Sequence, residues 1–242
     1  MMQKRTPTIS GALVFGFQAF LNNPILLLGA SLTVWGVTVS GFLAALMIIS
    51  MDLFRVVVVQ QPGIDFLYAN FYATLSAKTV LLSTLCLIVT YLATSALYLG
   101  ALRICLDIVD TGASTYNRIL SETHLTARYI IASAIYGIAM MIGYALLIIP
   151  GLYILLIWYF FAQVLVAEQS GAFDSLRRSN AITEGRRMHV AGYILVIMLI
   201  TGFAYSFTII GTIIVSPIIW LATTYYYRAL TQKPDVITEG YH

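Results

Sequence analysis

Charged residues punctuate this chain rather than being spread along it. Long uncharged stretches lie between them: Thr6 to Met51, Thr79 to Leu102, Tyr129 to Ala167 and Met188 to Tyr227. One bilayer crossing takes about 20 apolar residues. The third stretch is therefore too long for one crossing and right for two. It is broken at Pro150-Gly151, where proline removes a backbone donor and glycine tolerates a reversed path. The pattern predicts a helical hairpin with spans at 129–149 and 152–167, turning at Pro150 and Gly151. The last stretch divides in the same way at Gly211 into spans at 190–208 and 211–228, with Pro217 placed to kink the second. The stretch after Lys78 predicts a span over 80–101, continuing as a helix to Asp107.

The first stretch reads differently. Ser10 is placed as an N-cap, and Leu13, Phe17, Phe20 and Leu21 share a helical face. Asn22-Asn23-Pro24 then breaks the run, with Pro24 suited to a first helical residue. The expectation is a short helix over 10–22 lying at the membrane surface, then a span over 24–49. Between the first two spans, FLYANFYATL (66–75) reads as an aromatic interfacial helix. Thr111-Gly112 ends the second span's helix, and Ser114 or Thr115 could cap the next. Tyr116, Ile119, Leu120 and Thr123 recur at helical spacing, predicting an amphipathic helix over 114–124. A third such helix, over 172–184, is basic, with Ser179 and Thr183 one turn apart on its inward face and Gly185 as its stop. A short amphipathic helix followed by two spans thus occurs three times, which suggests a chain built from three related units.

Composition turns this pattern into a class. The chain is 60% hydrophobic and 10% charged, against about 25% charged for a soluble domain. The reading is an all-α, polytopic transmembrane bundle of six spans with short interfacial helices, forming a single domain over 1–242. The net charge is +3. If the N-terminus is cytoplasmic, the inside segments hold Lys4, Arg5, Arg103, Arg118, Arg128, Arg177, Arg178, Arg186, Arg187, Arg228 and Lys233, and the outside segments only Arg55 and Lys78. Such a bias is the positive-inside pattern. It assigns the basic balance to topology rather than to nucleic acid, and puts both termini in the cytoplasm.

Chemistry is sparse. Cys86 and Cys105 sit along one helix, too far apart to bridge, and read as small buried hydrophobes. His124 and His189 flank spans, where either could meet Glu122 or Glu168, and His242 is terminal. None has a partner at metal-ligand spacing, and no nucleophile, phosphate-loop or metalloprotease motif occurs. Arg103, Asp107 and Asp110 are spaced to share a helix face as a local ion-pair group. No catalytic residue, metal site or cofactor is expected, and so no enzyme. Ser133 with Gly137 and Ala139 with Gly143 read as close helix packing. A transporter would line a polar cavity with Thr90, Thr94, Gln163 and Thr223; the six-span pattern places no charged residue at mid-membrane, where pumps usually carry one.

Pro150-Gly151-Leu152-Tyr153, then Glu168, Gly171, Leu176-Arg177-Arg178-Ser179 and Thr183-Glu184-Gly185-Arg186-Arg187 carry a family likeness. From about Gly112 to Leu195 the chain resembles the membrane domain attached to some bacterial glycerophosphoryl diester phosphodiesterases, and related stand-alone membrane proteins. That family shows a PGxY hairpin turn, a Glu ending the next span, and a basic A-L-x-x-S-x-x-L-T-x-G element. Here Ser175 and Ile182 replace its Ala and Leu. The resemblance implies a multi-pass bacterial inner-membrane protein. It does not imply phosphodiesterase activity, which in those enzymes belongs to a separate soluble barrel. The expected role is structural, lipid-interacting or accessory, with transport of a small solute as the alternative. Membrane lipids, anionic headgroups among them, are the expected partners, along with a second copy or another membrane protein. Arg177, Arg178, Arg186 and Arg187 are the candidate contacts.

Overall fold

The computed structural model of the chain describes residues 8–55, 76–206 and 208–231. These residues form helices α1 (Ile9–Asn22), α2 (Pro24–Arg55), α3 (Ala77–Thr111), α4 (Thr126–Leu146), α5 (Ile148–Trp158), α6 (Phe161–Glu168), α7 (Ala172–Thr183), α8 (Arg187–Ser206) and α9 (Thr208–Thr231). Among the described residues five helical segments are long and apolar enough to cross a membrane: Pro24–Arg55, Ala77–Thr111, Tyr116–Leu146, Ile148–Glu168 and Arg187–Ser206. The last expected span falls on α9, which is not one of those five. The aromatic helix expected at 66–75 lies outside the described residues. The chain forms two compact units, Met1–Leu32 with Ser95–His242, and Thr33–Thr94.

In the larger unit α1 lies along α9. Thr8, extended at φ −75 and ψ 138, precedes the helix, so Ser10 sits inside it rather than capping it. The buried face of α1 is made of small residues, Ala12, Gly16 and Ala19, with Phe20, while Phe17 and Leu21 are exposed. The small side chains let the two helices approach closely; of the four residues that share the predicted face, Phe20 is buried and Leu13 partly buried against the core, while Phe17 and Leu21 point away. A Cβ on Gly16 would come within 2.7 Å of the Ile218 carbonyl oxygen. Phe15 stacks on Tyr225 at 4.4 Å, and Ser31 donates to the Ile213 carbonyl at 2.7 Å while meeting the Ser216 hydroxyl at 2.8 Å.

The hairpin is present, but its turn is displaced. Leu147 alone, extended at φ −168 and ψ 155, separates α4 from α5. Pro150 and Gly151 lie inside α5. Proline fits there because the first turn of a helix has no intrahelical acceptor for its N–H groups. Glycine serves the packing instead: a Cβ on Gly143 would lie 2.9 Å from the Gly151 backbone, and one on Gly151 2.6 Å from the Tyr144 ring. Gly211, expected as the other turn, lies within α9, as does Pro217.

Gly112, at φ +80, ends α3 as expected. The amphipathic helix expected at 114–124 is instead two 3-10 turns, Tyr116–Leu120 and Thr123–Leu125. Of its apolar face only Ile119 is buried; Tyr116 and Leu120 are exposed. Neither Ser114 nor Thr115 caps it by a side chain: Ser114 bonds to Asp107 at 3.3 Å instead. The cause is a close approach. The Ile119 carbonyl rests where a Cβ of Gly100 would be, 1.8 Å from it. Tight turns held down on α3 replace a regular helix whose spacing the sequence allowed. The middle member of the three-unit pattern thus differs in form from α1 and α7.

In the smaller unit, Gly41 admits Thr90, whose side chain would stand 2.0 Å from a Cβ. Thr38 meets Thr94 at 3.2 Å, and Asp52 accepts the Ser76 N–H at 2.9 Å. Cys86, half-buried, points its thiol at the Gly41 carbonyl. Cys105 is buried, and both cysteines are free. Most of the described large apolar side chains of this unit, among them Phe42, Leu43, Met47, Leu81 and Leu85, are exposed, the pattern of helices solvated by lipid.

Candidate functional site

The basic element begins at a helix break. The segment Ile148–Glu168 is interrupted after Trp158, and Tyr159 and Phe160 form a turn before α6 resumes. A break inside a membrane frees backbone groups that must be satisfied by protein. Ser179, on α7, does this: its hydroxyl donates to the Ile157 carbonyl at 3.0 Å and accepts the Phe160 N–H at 3.2 Å. Ser175, Leu176, Ser179 and Thr183 form the buried face of α7, spaced as one helical stripe. The inward placement read for Ser179 and Thr183 holds. The helix stops at Thr183, and Gly185 turns the chain at φ +76.

The four arginines are not equivalent. Arg177 is exposed. Arg178 pairs with Glu168 at 3.2 Å, both groups well exposed; such a pair contributes about 0–1 kcal/mol. Arg187 donates to Asn180 Oδ1 at 3.4 Å and sits 5.1 Å over the Tyr153 ring. Arg186 is half-buried. A single flat basic surface does not describe them: two guanidinium groups face outward from α7 and two are drawn into the packing at the start of α8.

Around this element runs a charged network that sequence spacing anticipated only in part. Arg103 pairs with Asp107 at 3.2 Å as expected, and also reaches Glu122 at 3.8 Å. Asp107 takes Arg118 at 3.6 Å. Asp110 does not join this group but pairs with Arg228, 118 residues away. Glu122, buried, accepts from Gln169 Nε2 at 2.8 Å, and Gln169 Oε1 meets His124 Nε2 at 2.9 Å. His124 thus reaches Glu122 only through Gln169. Arg128 donates to the Gln169 carbonyl at 3.1 Å. Gln169 holds a left-handed backbone, φ 52, which costs a non-glycine residue about 1–2 kcal/mol. Its partners Glu122, His124 and Arg128, with the Val166 carbonyl that Nε2 also reaches at 3.0 Å, hold it there. No sequence signal singled out Gln169.

Beneath the network lies an aromatic core. Tyr226 stacks on Tyr193 at 4.2 Å and on Phe160 at 6.2 Å, and Tyr193 shares a hydrogen bond with Thr223 at 3.0 Å. Of the four residues read as lining a transport path, Thr90 and Thr94 belong to the smaller unit and Gln163 and Thr223 to the larger. Gln163 is buried, with its Oε1 unpartnered among the described residues. His189 is exposed. Among the described residues no group of three or more His, Cys, Asp or Glu side chains converges as a metal site would require. Comparison with known proteins finds no matching family model, curated protein or solved structure.

Proposed function

We propose that this is a six-span protein of a bacterial inner membrane, α9 being the sixth span, with both termini cytoplasmic. Its role is structural, lipid-interacting or accessory, and no catalytic role is assigned. The likeness to the phosphodiesterase-associated membrane domain, and the charge asymmetry of the chain, support this reading. In it, the basic element 171–187 contacts anionic headgroups. One observation carries that contact: α7 is pinned through Ser175, Leu176, Ser179 and Thr183 while Arg177 and Arg178 stand outward. Arginine holds phosphate by a planar two-pronged contact that lysine does not match. Replacing Arg177 and Arg178 with lysine keeps the charge, so topology should hold while retention of anionic lipid through purification falls. Unchanged retention defeats the reading. The topology is tested separately: single cysteines near Gln61 should label from outside, and those near Ser114 or Ser170 should not.

A second reading, transport of a small solute, is favoured by the broken span at Tyr159–Phe160 and the unpartnered Gln163 oxygen. Transporters place binding sites at such interruptions. Solute flux into vesicles containing the protein, against empty vesicles, decides it.

A further inference from the structure

Pro217 interrupts the hydrogen-bond ladder of α9 where another helix supplies what is missing. Proline has no N–H, so the carbonyl four residues back, that of Ile213, loses its intrahelical donor. Ser31 of α2 replaces that donor, its hydroxyl 2.7 Å from the Ile213 oxygen. A serine hydroxyl has one proton. With that proton spent on Ile213, the 2.8 Å contact between Ser31 and Ser216 has Ser216 as donor. Ser31 is fully buried. Within a membrane, a carbonyl freed by proline is re-satisfied by neighbours of this kind. The two sides of the interruption are held differently. Beyond Pro217, Tyr225 stacks on Phe15 at 4.4 Å, Tyr226 stacks on Tyr193 at 4.2 Å, and Arg228 pairs with Asp110. Helices α1, α8 and α3 thus each grip that half. Before Pro217, Ile214 is exposed, and the buried Thr212 hydroxyl has no partner among the described residues. Ser31 ties this half to α2. Past Ser31, α2 runs on into the smaller unit, so the tie lies on a helix that the two units share.

We propose that α9 is a hinged helix: Pro217 is its pivot, Ser31 is its latch, and the half before Pro217 swings when α2 draws the hydroxyl away from Ile213. Sharp helix kinks, of more than about 20°, arise at proline, and a hinge needs only a few residues to absorb the change. Unlatching leaves the Ile213 carbonyl without its bond, which disfavours the open form about tenfold. The latched form is therefore the resting one, and the bond that holds it comes from outside the moving helix. This moving part is separate from the headgroup contact at α7, and neither depends on the other.

The test measures distances by double electron–electron resonance on the purified full chain in lipid nanodiscs. Spin labels go on Gly211→Cys, which lies about 9 Å along the helix from the pivot, and on Met141→Cys, exposed on α4. Cys86→Ala and Cys105→Ala remove the native thiols. A swing of about 20° at Pro217 moves the first label by about 3 Å. The unaltered latch should give one distance. Ser31→Ala should add a second, displaced by about 3 Å, with the open population raised about tenfold. Pro217→Ala restores an N–H for the Ile213 carbonyl, so it should give one distance both alone and combined with Ser31→Ala. Ser216→Ala keeps the Ile213 bond and should stay close to the unaltered protein. A reference pair, Met141→Cys with Met188→Cys, both exposed and away from α9, should not change in any variant. An unchanged distribution in Ser31→Ala overturns the proposal. So does a second distance that persists when Pro217→Ala is added, or a reference pair that moves as well, since either means general loosening rather than a hinge. If Ser31→Ala alone does not fold, Pro217→Ala must restore folding to it, and failure to do so overturns the proposal too.

Discussion

Ser179→Ala is the substitution through which the break in the fourth span can be weighed. The hydroxyl satisfies two backbone groups at once, and both Phe160 and Ser179 are fully excluded from solvent. Removing it leaves the Phe160 N–H without a partner, which costs about 1–3 kcal/mol, and takes one bond from the Ile157 carbonyl, worth about 0.5–1.5 kcal/mol. The sum is about 2–4 kcal/mol. An opposing effect must be beaten. Polar contacts between membrane helices average only about 0.6 kcal/mol, because chains unfolded within the membrane find other partners. The Phe160 N–H has one natural alternative, the Leu156 carbonyl a turn back, and reaching it requires straightening the break. The larger figure should therefore win. Ser175→Ala is the matched control: that hydroxyl bonds only to the Ala172 carbonyl of its own helix, at 2.7 Å. Unfolding in mixed micelles with rising SDS fraction, followed by helical circular dichroism, measures both. A loss in Ser179→Ala no greater than in Ser175→Ala would falsify the bridging argument.

Two other changes probe the packing. Gly100→Ala places a Cβ 1.8 Å from the Ile119 carbonyl oxygen, a backbone atom with little room to yield, and we predict destabilisation of about 1–3 kcal/mol or more; an unaltered melting midpoint would show that the 116–120 turn is not held against α3. Asp110→Asn removes the partner of Arg228 across 118 residues of chain. Since both side chains are partly exposed, the expected loss is at most about 1 kcal/mol, it should shrink in high salt, and a salt-independent loss would contradict it.

Much of the architecture was readable because apolar run length and helix punctuation act locally. Pro24 opens α2 and Gly112 closes α3 where backbone chemistry alone puts them. The hairpin was readable but its turn was not, since proline suits either a turn or the first turn of the helix after it. The close meeting of Gly143 and Gly151 decided in favour of Leu147. Spacing grouped the large residues of α1 on one face but did not say which side of the helix meets protein. In a lipid solvent large apolar side chains gain nothing by hiding, and small residues mark the contact. At the candidate site, the inward stripe of α7 follows from helical spacing. The partners that distinguish its arginines do not: Glu168 and Tyr153 lie on other helices, and no periodicity links them to positions 177–187. Gln169 and the Asp110–Arg228 pair were out of reach for the same reason.

The Ser179 bridge also bears on how the protein is made. The hydroxyl that completes the fourth span's backbone lies 19 residues beyond the Phe160 N–H that it accepts. Synthesis proceeds from the N-terminus, so the span emerges from the ribosome before α7 can dock on it. Until α7 arrives, the segment must run as an unbroken helix or keep its interruption wet. The native break is therefore a late event, made by docking rather than by insertion. Ribosome-stalled chains long enough to expose the span but not α7, and chains long enough to expose both, should differ in the solvent exchange of the Phe160 amide.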